Sequence, residues 1–333
     1  MPISLSLQKL NTIRAVQAAT VLAVLLAATA PARADTISVA DMLRGINMTS
    51  AQCAAIPQTA WITATNRNFC MRYYLAPFGR EAHRPVVFLQ GDRLGPLNLR
   101  SGSFTLPANE KDINTDDLMK AAFSLSKQTK TTAIYLARVG VEGSSGDHRL
   151  RHTVLELNVT NAALDAIKRQ YGFEGFHLIG QSGGAKLVVG LLALRQDIGC
   201  AIIGSGLFSV TKPMRPPTDP ALGYFNTADI LPVLARYRAA RIMVVTDQAD
   251  KKVGAQNQNI FVQKLQQAGR LVEQFNVQAM DENRHGVVAY SRVVASGCLR
   301  GAGTEEIARE VDLLVQRRLA AAKAKAQSPA DAR

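Results

Sequence analysis

The sequence predicts an α/β protein in which a mostly parallel central sheet carries helices on both faces. Two observations lead there. Short apolar runs bounded by turn residues alternate with helix-patterned runs along most of the chain, the order that successive βαβ units produce. One strand-to-helix junction, Gly180-Gln181-Ser182-Gly183-Gly184, also has the G-x-S-x-G pattern of a sharp turn that lifts a serine hydroxyl into a cleft.

Residues 1–34 have the build of an export signal. Lys9 and Arg14 give a basic start, residues 18–30 are apolar apart from threonines, and Ala32-Arg33-Ala34 fits the small-x-small cleavage rule. Cleavage before Asp35 leaves 299 of 333 residues and removes three basic residues, taking the formal charge from +13 to +10. The apolar stretch is short for a membrane span, which makes an N-terminal anchor the weaker alternative; no later segment is long enough either, and no cysteine follows the cleavage region for lipid attachment. The expectation is a soluble, exported protein, periplasmic or secreted. Its basic surface favours anionic neighbours such as envelope polymers or lipid headgroups. The cations are not gathered on one helix or interleaved with aromatics, and there is one tryptophan, which argues against nucleic-acid recognition.

Cys53, Cys70, Cys200 and Cys298 form an even set without metal-type spacing. Four cysteines allow three pairings. Chain position favours Cys53–Cys70, closing a local loop, and Cys200–Cys298, tying an inner strand to the C-terminal region. The alternative, four buried free thiols, suits an oxidising compartment less well.

Residues 35–68 read as irregular, with a short helix over 39–44, and an early edge strand follows at 69–75. Pro85-Val86-Val87-Phe88-Leu89-Gln90 is a continuous apolar run ending at Gly91, as a central strand requires. Residues 116–128 are helical in pattern, 132–136 form a strand, and 153–170 a helix packed on the sheet. Phe176-His177-Leu178-Ile179 is the strand entering the serine turn, and 185–195 a largely buried helix leaving it. Strands at 200–203, 241–246 and 271–277, and helices at 260–268 and 305–325, complete a single domain over 35–325. The interval 212–232 holds five prolines and reads as a lid-like insertion over the strand ends. Residues 326–333 read as a disordered tail.

A serine hydroxyl needs a base to take its proton and an acid to orient that base. Asp247-Gln248-Ala249-Asp250 directly follows an apolar strand, where an open α/β sheet places its site; Asp250 is the first choice of acid and Asp247 the second. Among five histidines, only His285 follows Ser182, and it lies in a polar loop beside a glycine. The order Ser182, Asp250, His285 points to catalysis more strongly than any one of the three alone. Backbone N–H groups for an oxyanion are expected at Gly183 and at Gly91 or Asp92, although Gln90-Gly91-Asp92 also reads as an ordinary strand-ending turn. A second glycine-serine loop over 137–148 offers Ser144, Ser145 and an Asp147-His148 pair. With no strand delivering either serine on a tight turn, it is expected to line the site. Lys186 lies four residues after Ser182, which disfavours an S-x-x-K reading.

These residues resemble an α/β-hydrolase, nearest to the catalytic domain of the prolyl-oligopeptidase-like (S9-type) serine hydrolases. The likeness rests on the Gly180–Gly184 turn, on Thr246-Asp247-Gln248-Ala249-Asp250-Lys251-Lys252-Val253, and on the run to His285-Gly286, and it covers residues 85–297. Too little sequence precedes residue 85 for the β-propeller of the large S9 peptidases. The resemblance implies an exported serine hydrolase acting on a small ester or amide through Ser182, Asp250 and His285, with no metal or organic cofactor. Two alternatives stand beside it: an S9-like peptidase for short peptides, and a non-catalytic protein of the same fold binding an anionic envelope component.

Overall fold

Continuous apolar runs become strands that are covered on both faces. β3 (Val86–Leu89) and β6 (Ala133–Leu136) are buried at every residue, and β7 (Phe176–Gln181), β8 (Ile198–Gly204) and β9 (Arg241–Thr246) at all but one. With β1 (Thr59–Ala64), β2 (Arg67–Ala76) and β10 (Val272–Asn276) they form an eight-stranded sheet of order β1-β2-β6-β3-β7-β8-β9-β10. β2 pairs antiparallel with both neighbours, and β6 to β10 pair in parallel. A two-residue ribbon, β4 (Leu97–Asn98) with β5 (Ser103–Phe104), lies outside it. The computed structural model describes residues 38–79, 83–95, 97–98, 103–104, 106, 113–208, 223, 225–236 and 240–327. The export signal, most of the 212–232 insertion and residues 328–333 lie outside these.

Alternate side chains along each strand serve opposite cores. Val87 and Leu89 join α4 (Val154–Tyr171) and α5 (Gly183–Leu194) on one face. Val86 and Phe88 join α3 (Thr115–Thr129), α8 (Val288–Leu299) and α9 (Thr304–Gln327) on the other. Two shorter helices, α1 (Val39–Arg44) and α2 (Ser50–Ala54), precede the sheet, while α6 (Thr227–Arg236) and α7 (Ala255–Gln267) flank β9 in sequence.

Several elements depart from the sequence reading. Residues 35–68 contain α2 and β1, and β1, not β2, is the sheet edge. Its inward residues are Ala60, Ile62 and Ala64, so the alternation is real but two of its three apolar members are small. Residues 227–232 of the proline-rich interval are helical: α6 accommodates Pro232 within an amphipathic run that buries Leu234. α9 extends to Gln327, so Ala326 and Gln327 are helical and not part of a tail. Disulfides join Cys53 to Cys70, tying α2 to β2, and Cys200 to Cys298, tying β8 to α8. Among the described residues no helix is long and apolar enough to cross a membrane.

Candidate active site

The turn from β7 into α5 is possible only because two of its residues lack side chains. A Cβ at Gly184 would collide with the carbonyl oxygens of Leu89 and Gln90, and one at Gly180 with the backbone of Ala185. Between them Ser182 adopts φ +55°, ψ −117°, a conformation that L-residues rarely hold. Neighbouring backbone retains it: the Ser182 N–H donates to Gly204 at 2.9 Å, and its carbonyl accepts from Lys186 and Leu207.

The loops after β9 and β10 converge on the same place. His285 Nδ1 lies 2.8 Å from Asp250 Oδ2, with the histidine side chain 12% exposed and the carboxylate fully buried. Burial opposes the charge of Asp250, yet the His285 hydrogen bond and the Val253 and Lys252 N–H groups hold its pKa below the usual carboxylate range. An ionised Asp250 requires the proton on Nδ1, which leaves Nε2 as the basic nitrogen. The histidine loop is fastened on three sides. Asp281 accepts from the His285 and Gly286 N–H groups, Lys251 N donates to Asn283 O, and Gln181 Nε2 donates to the His285 carbonyl at 2.8 Å. The last contact couples the residue before Ser182 to the histidine loop.

Asp247 occupies a different place. Its carboxylate accepts from Arg284 Nε and Nη2 at 2.7 and 2.9 Å, and from the Ala249 and Ala279 N–H groups. It anchors the histidine loop from behind through Arg284.

A cavity of about 730 Å³ is lined by Ser182, His285, Gly91, Asp92, Arg151 and Leu207, among others. A Cβ at Gly91 would stand 3.1 Å from that of Ser182, so the loop after β3 crosses directly over the serine. Gly183 begins α5, where a first-turn N–H has no intrahelical acceptor. Its missing side chain makes room for Asp92 Oδ1, His152 Cε1 and Arg138 Nη1.

Those three belong to a buried ionic network that the sequence reading missed. Arg138 is fully enclosed, donating to Asp92 Oδ1 at 2.8 Å and to both oxygens of Glu156 at 2.9 and 3.1 Å. His152 Nε2 meets Asp92 Oδ2 at 2.9 Å, and its N–H donates to Glu156. Burial alone would raise both carboxyl pKa values, but the Arg138 charge overcomes it, holding Asp92 well below and Glu156 below the usual range. Two signals were present: Glu156 interrupts the apolar run Val154-Leu155-Glu156-Leu157, and Arg138 follows a fully buried strand.

The glycine-serine loop does not line the Ser182 cavity. Ser144 and Ser145 hydroxyls accept from the Arg72 and Cys70 N–H groups, stitching the loop to β2. Asp147 caps a short 3₁₀ turn, and His148 is enclosed with Nδ1 on the Val139 carbonyl. Burial, reinforced by the Arg138 charge, pushes His148 down from 6.5 to about 4. The unfolded chain therefore binds a proton at a pH where the folded one does not. As pH falls from 6.5 toward 4, this group lowers stability by about 1.4 kcal/mol per pH unit. We expect the thermal midpoint to decline across that window, and to decline less steeply in His148→Gln.

No family model and no curated protein matches the sequence. Solved structures do. The esterase Pf2001 of Pyrococcus furiosus is similar with a TM-score of 0.51 at 14% identity, over 78% of this chain and 97% of the esterase. An acylaminoacyl peptidase of Pyrococcus horikoshii gives 0.52 at 14% identity, over 76% of this chain and 43% of the peptidase. These likenesses of architecture and the eight-stranded, mostly parallel sheet show that the chain has the α/β-hydrolase fold.

Proposed function

We propose that the chain is an exported serine hydrolase that cleaves carboxylic esters. The observation carrying this reading is the His285 Nδ1–Asp250 Oδ2 hydrogen bond of 2.8 Å at a cavity that also contains the strained Ser182. Ser182 Oγ attacks the ester carbonyl while His285 Nε2 takes its proton, and Asp250 stabilises the imidazolium that results. The oxyanion is received by the N–H of Gly183 and that of Gly91 or Asp92. On collapse, the carbon–oxygen bond to the alcohol breaks and His285 returns its proton to the leaving oxygen. Water, deprotonated by the same nitrogen, then releases the acid and restores Ser182.

Esters are favoured over short peptides by the state of the cavity's carboxylates. A peptidase anchoring a free amine needs an acid to meet it, and Asp92 and Asp281 are already engaged by Arg138, His152 and loop N–H groups. The two disulfides fit an oxidising compartment, which supports export.

A fluorophosphonate probe with mass-spectrometric mapping tests the assignment. Labelling at Ser182 that disappears in His285→Ala is the expected result. No labelling of a folded, disulfide-intact sample, together with salt-sensitive binding to an anionic polymer, would replace it with the non-catalytic reading.

A further inference from the structure

The glycine-serine loop over 137–148 has no part in the reaction as described so far. Within it the Ser144 N–H donates to the Val141 carbonyl at 3.0 Å, closing a turn whose two central residues both have positive φ, Glu142 at +55° and Gly143 at +89°. Turns of this hand are dominated by glycine, asparagine and aspartate, and a glutamate is strained there. Glu142 nevertheless points inward and is 1% exposed. Its backbone is held from outside the loop by the Tyr74 hydroxyl, which donates to the Glu142 carbonyl at 2.8 Å. A strained residue that is both buried and ionic directs attention to what its side chain meets.

That partner is the loop after β3. Arg93 Nε donates to Glu142 Oε1 at 2.5 Å and Arg93 Nη2 to the Tyr135 hydroxyl at 2.8 Å, while Tyr135 donates to the same Glu142 oxygen at 2.6 Å. Residues 90–95 form one wall of the Ser182 cavity, and Arg93 is the member that turns its side chain away from it. On the other side of that wall Arg138 reaches the Gln90 carbonyl at 3.4 Å, and Asp92 meets Arg138 at 2.8 Å and His152 at 2.9 Å. Two separate buried ionic clusters therefore grip consecutive residues, Asp92 from one side and Arg93 from the other. Gly91 lies just before them, where a Cβ would stand 3.1 Å from that of Ser182. Fixing both side-chain directions at once fixes the peptide planes between them, and with those planes the aim of the backbone N–H groups beside the serine.

We propose that Glu142 is a positioning residue for the oxyanion hole: through Arg93 it holds the loop that presents the Gly91 and Asp92 N–H groups to the developing charge. This rests on the serine-hydrolase reading above. Neither Glu142 nor Arg93 touches the substrate. Donors of this kind accelerate a reaction because they are already aimed before charge develops, so a loop held on one side only should still bind ester and process it slowly.

Activity and stability are measured together in the disulfide-intact protein. Arg93→Lys keeps the charge and loses the planar fork, and Glu142→Gln keeps an acceptor and loses the charge. The double variant Arg93→Met/Glu142→Gln removes both charges of the pair together. On 4-nitrophenyl butyrate each variant is expected to lose about tenfold or more in kcat per Ser182 that a fluorophosphonate labels, with KM within about twofold. Affinity for a trifluoromethyl ketone, whose hemiketal with Ser182 places an oxyanion among the same donors, should weaken by the same factor as kcat/KM. The acid limb of the pH–rate profile, which belongs to His285, should stay at its wild-type position. The double variant decides the matter if a single one folds poorly: a purely structural role predicts recovery of activity along with stability, a positioning role recovery of stability alone. Wild-type kcat in the folded variants, unchanged affinity for the ketone, or a displaced acid limb overturns the inference and leaves the hydrolase reading intact. A wild-type protein that neither turns over the ester nor labels at Ser182 overturns the two together.

Discussion

Ser182→Ala is expected to abolish ester turnover and leave the protein folded. The scale is set by nucleophile removal in a serine protease, a loss of about 10⁶ in kcat. The fold has little reason to respond. Ser182 precedes α5 but makes no side-chain capping bond, so deleting its hydroxyl removes no support from the helix. Alanine also inherits the same strained φ of +55°. The change in stability should therefore stay within about 0.5 kcal/mol. Ser182→Gly separates the two effects further: it is equally inactive but more stable than wild type, because glycine holds that conformation without penalty. Rates on a 4-nitrophenyl ester and thermal midpoints, measured on the same three preparations, check both claims. Undiminished turnover in Ser182→Ala would place the chemistry elsewhere.

Arg138→Met should be the most damaging single substitution to stability. The guanidinium is the shared counter-charge of Asp92 and Glu156, and methionine fills much of its volume without replacing its charge. Removing one member of a buried ion pair typically costs about 3–5 kcal/mol, because the partner is left charged and unpaired. Here two carboxylates lose their shared counter-charge and keep only their His152 contacts and, for Asp92, the longer one to Arg151. The pH dependence identifies the cause. In wild type both carboxyls are held below the usual range, so they stay ionised in the folded state at neutral pH. In the variant the Arg138 charge no longer offsets burial, so both pKa values rise and folding favours the protonated carboxyls, although His152 still meets Asp92 and Glu156. The deficit should be largest at neutral and alkaline pH and should narrow as pH falls toward the usual carboxylate range. Urea midpoints of the two proteins across pH 5–8 measure it. A deficit independent of pH would mean that Arg138 contributes packing alone.

What could be read from the chain follows from how local each signal is. β3, β6, β8 and β9 are contiguous apolar runs, and the serine turn is five adjacent residues, so both are visible in short windows. The placement of Asp250 and His285 was accessible because each follows a strand in the right order. α8 was missed because it begins three residues after His285, with no polar capping residue to mark it. The ionic network was missed for a stronger reason. Arg138 meets Glu156 across 18 residues and Asp92 across 46, while His152 meets Asp92 across 60. Pairing at those separations is decided by sheet order, which brings the ends of β3, β6 and β7 together. Which of Asp247 and Asp250 meets His285 is likewise a tertiary matter: Arg284 engages Asp247, and Asp250 lies against His285.

The glycines around Ser182 bear on descent. Gly184 is wedged against the carbonyls of Leu89 and Gln90, and Gly180 against Ala185, whatever the serine does. A lineage that abandoned catalysis would be free to replace Ser182 and would still be compelled to keep both glycines or rebuild the sheet. The glycine frame of the pattern thus follows from architecture alone, and under the proposed function only the serine, with Asp250 and His285, would report chemistry. Working and silent descendants of this fold should be told apart by those three positions.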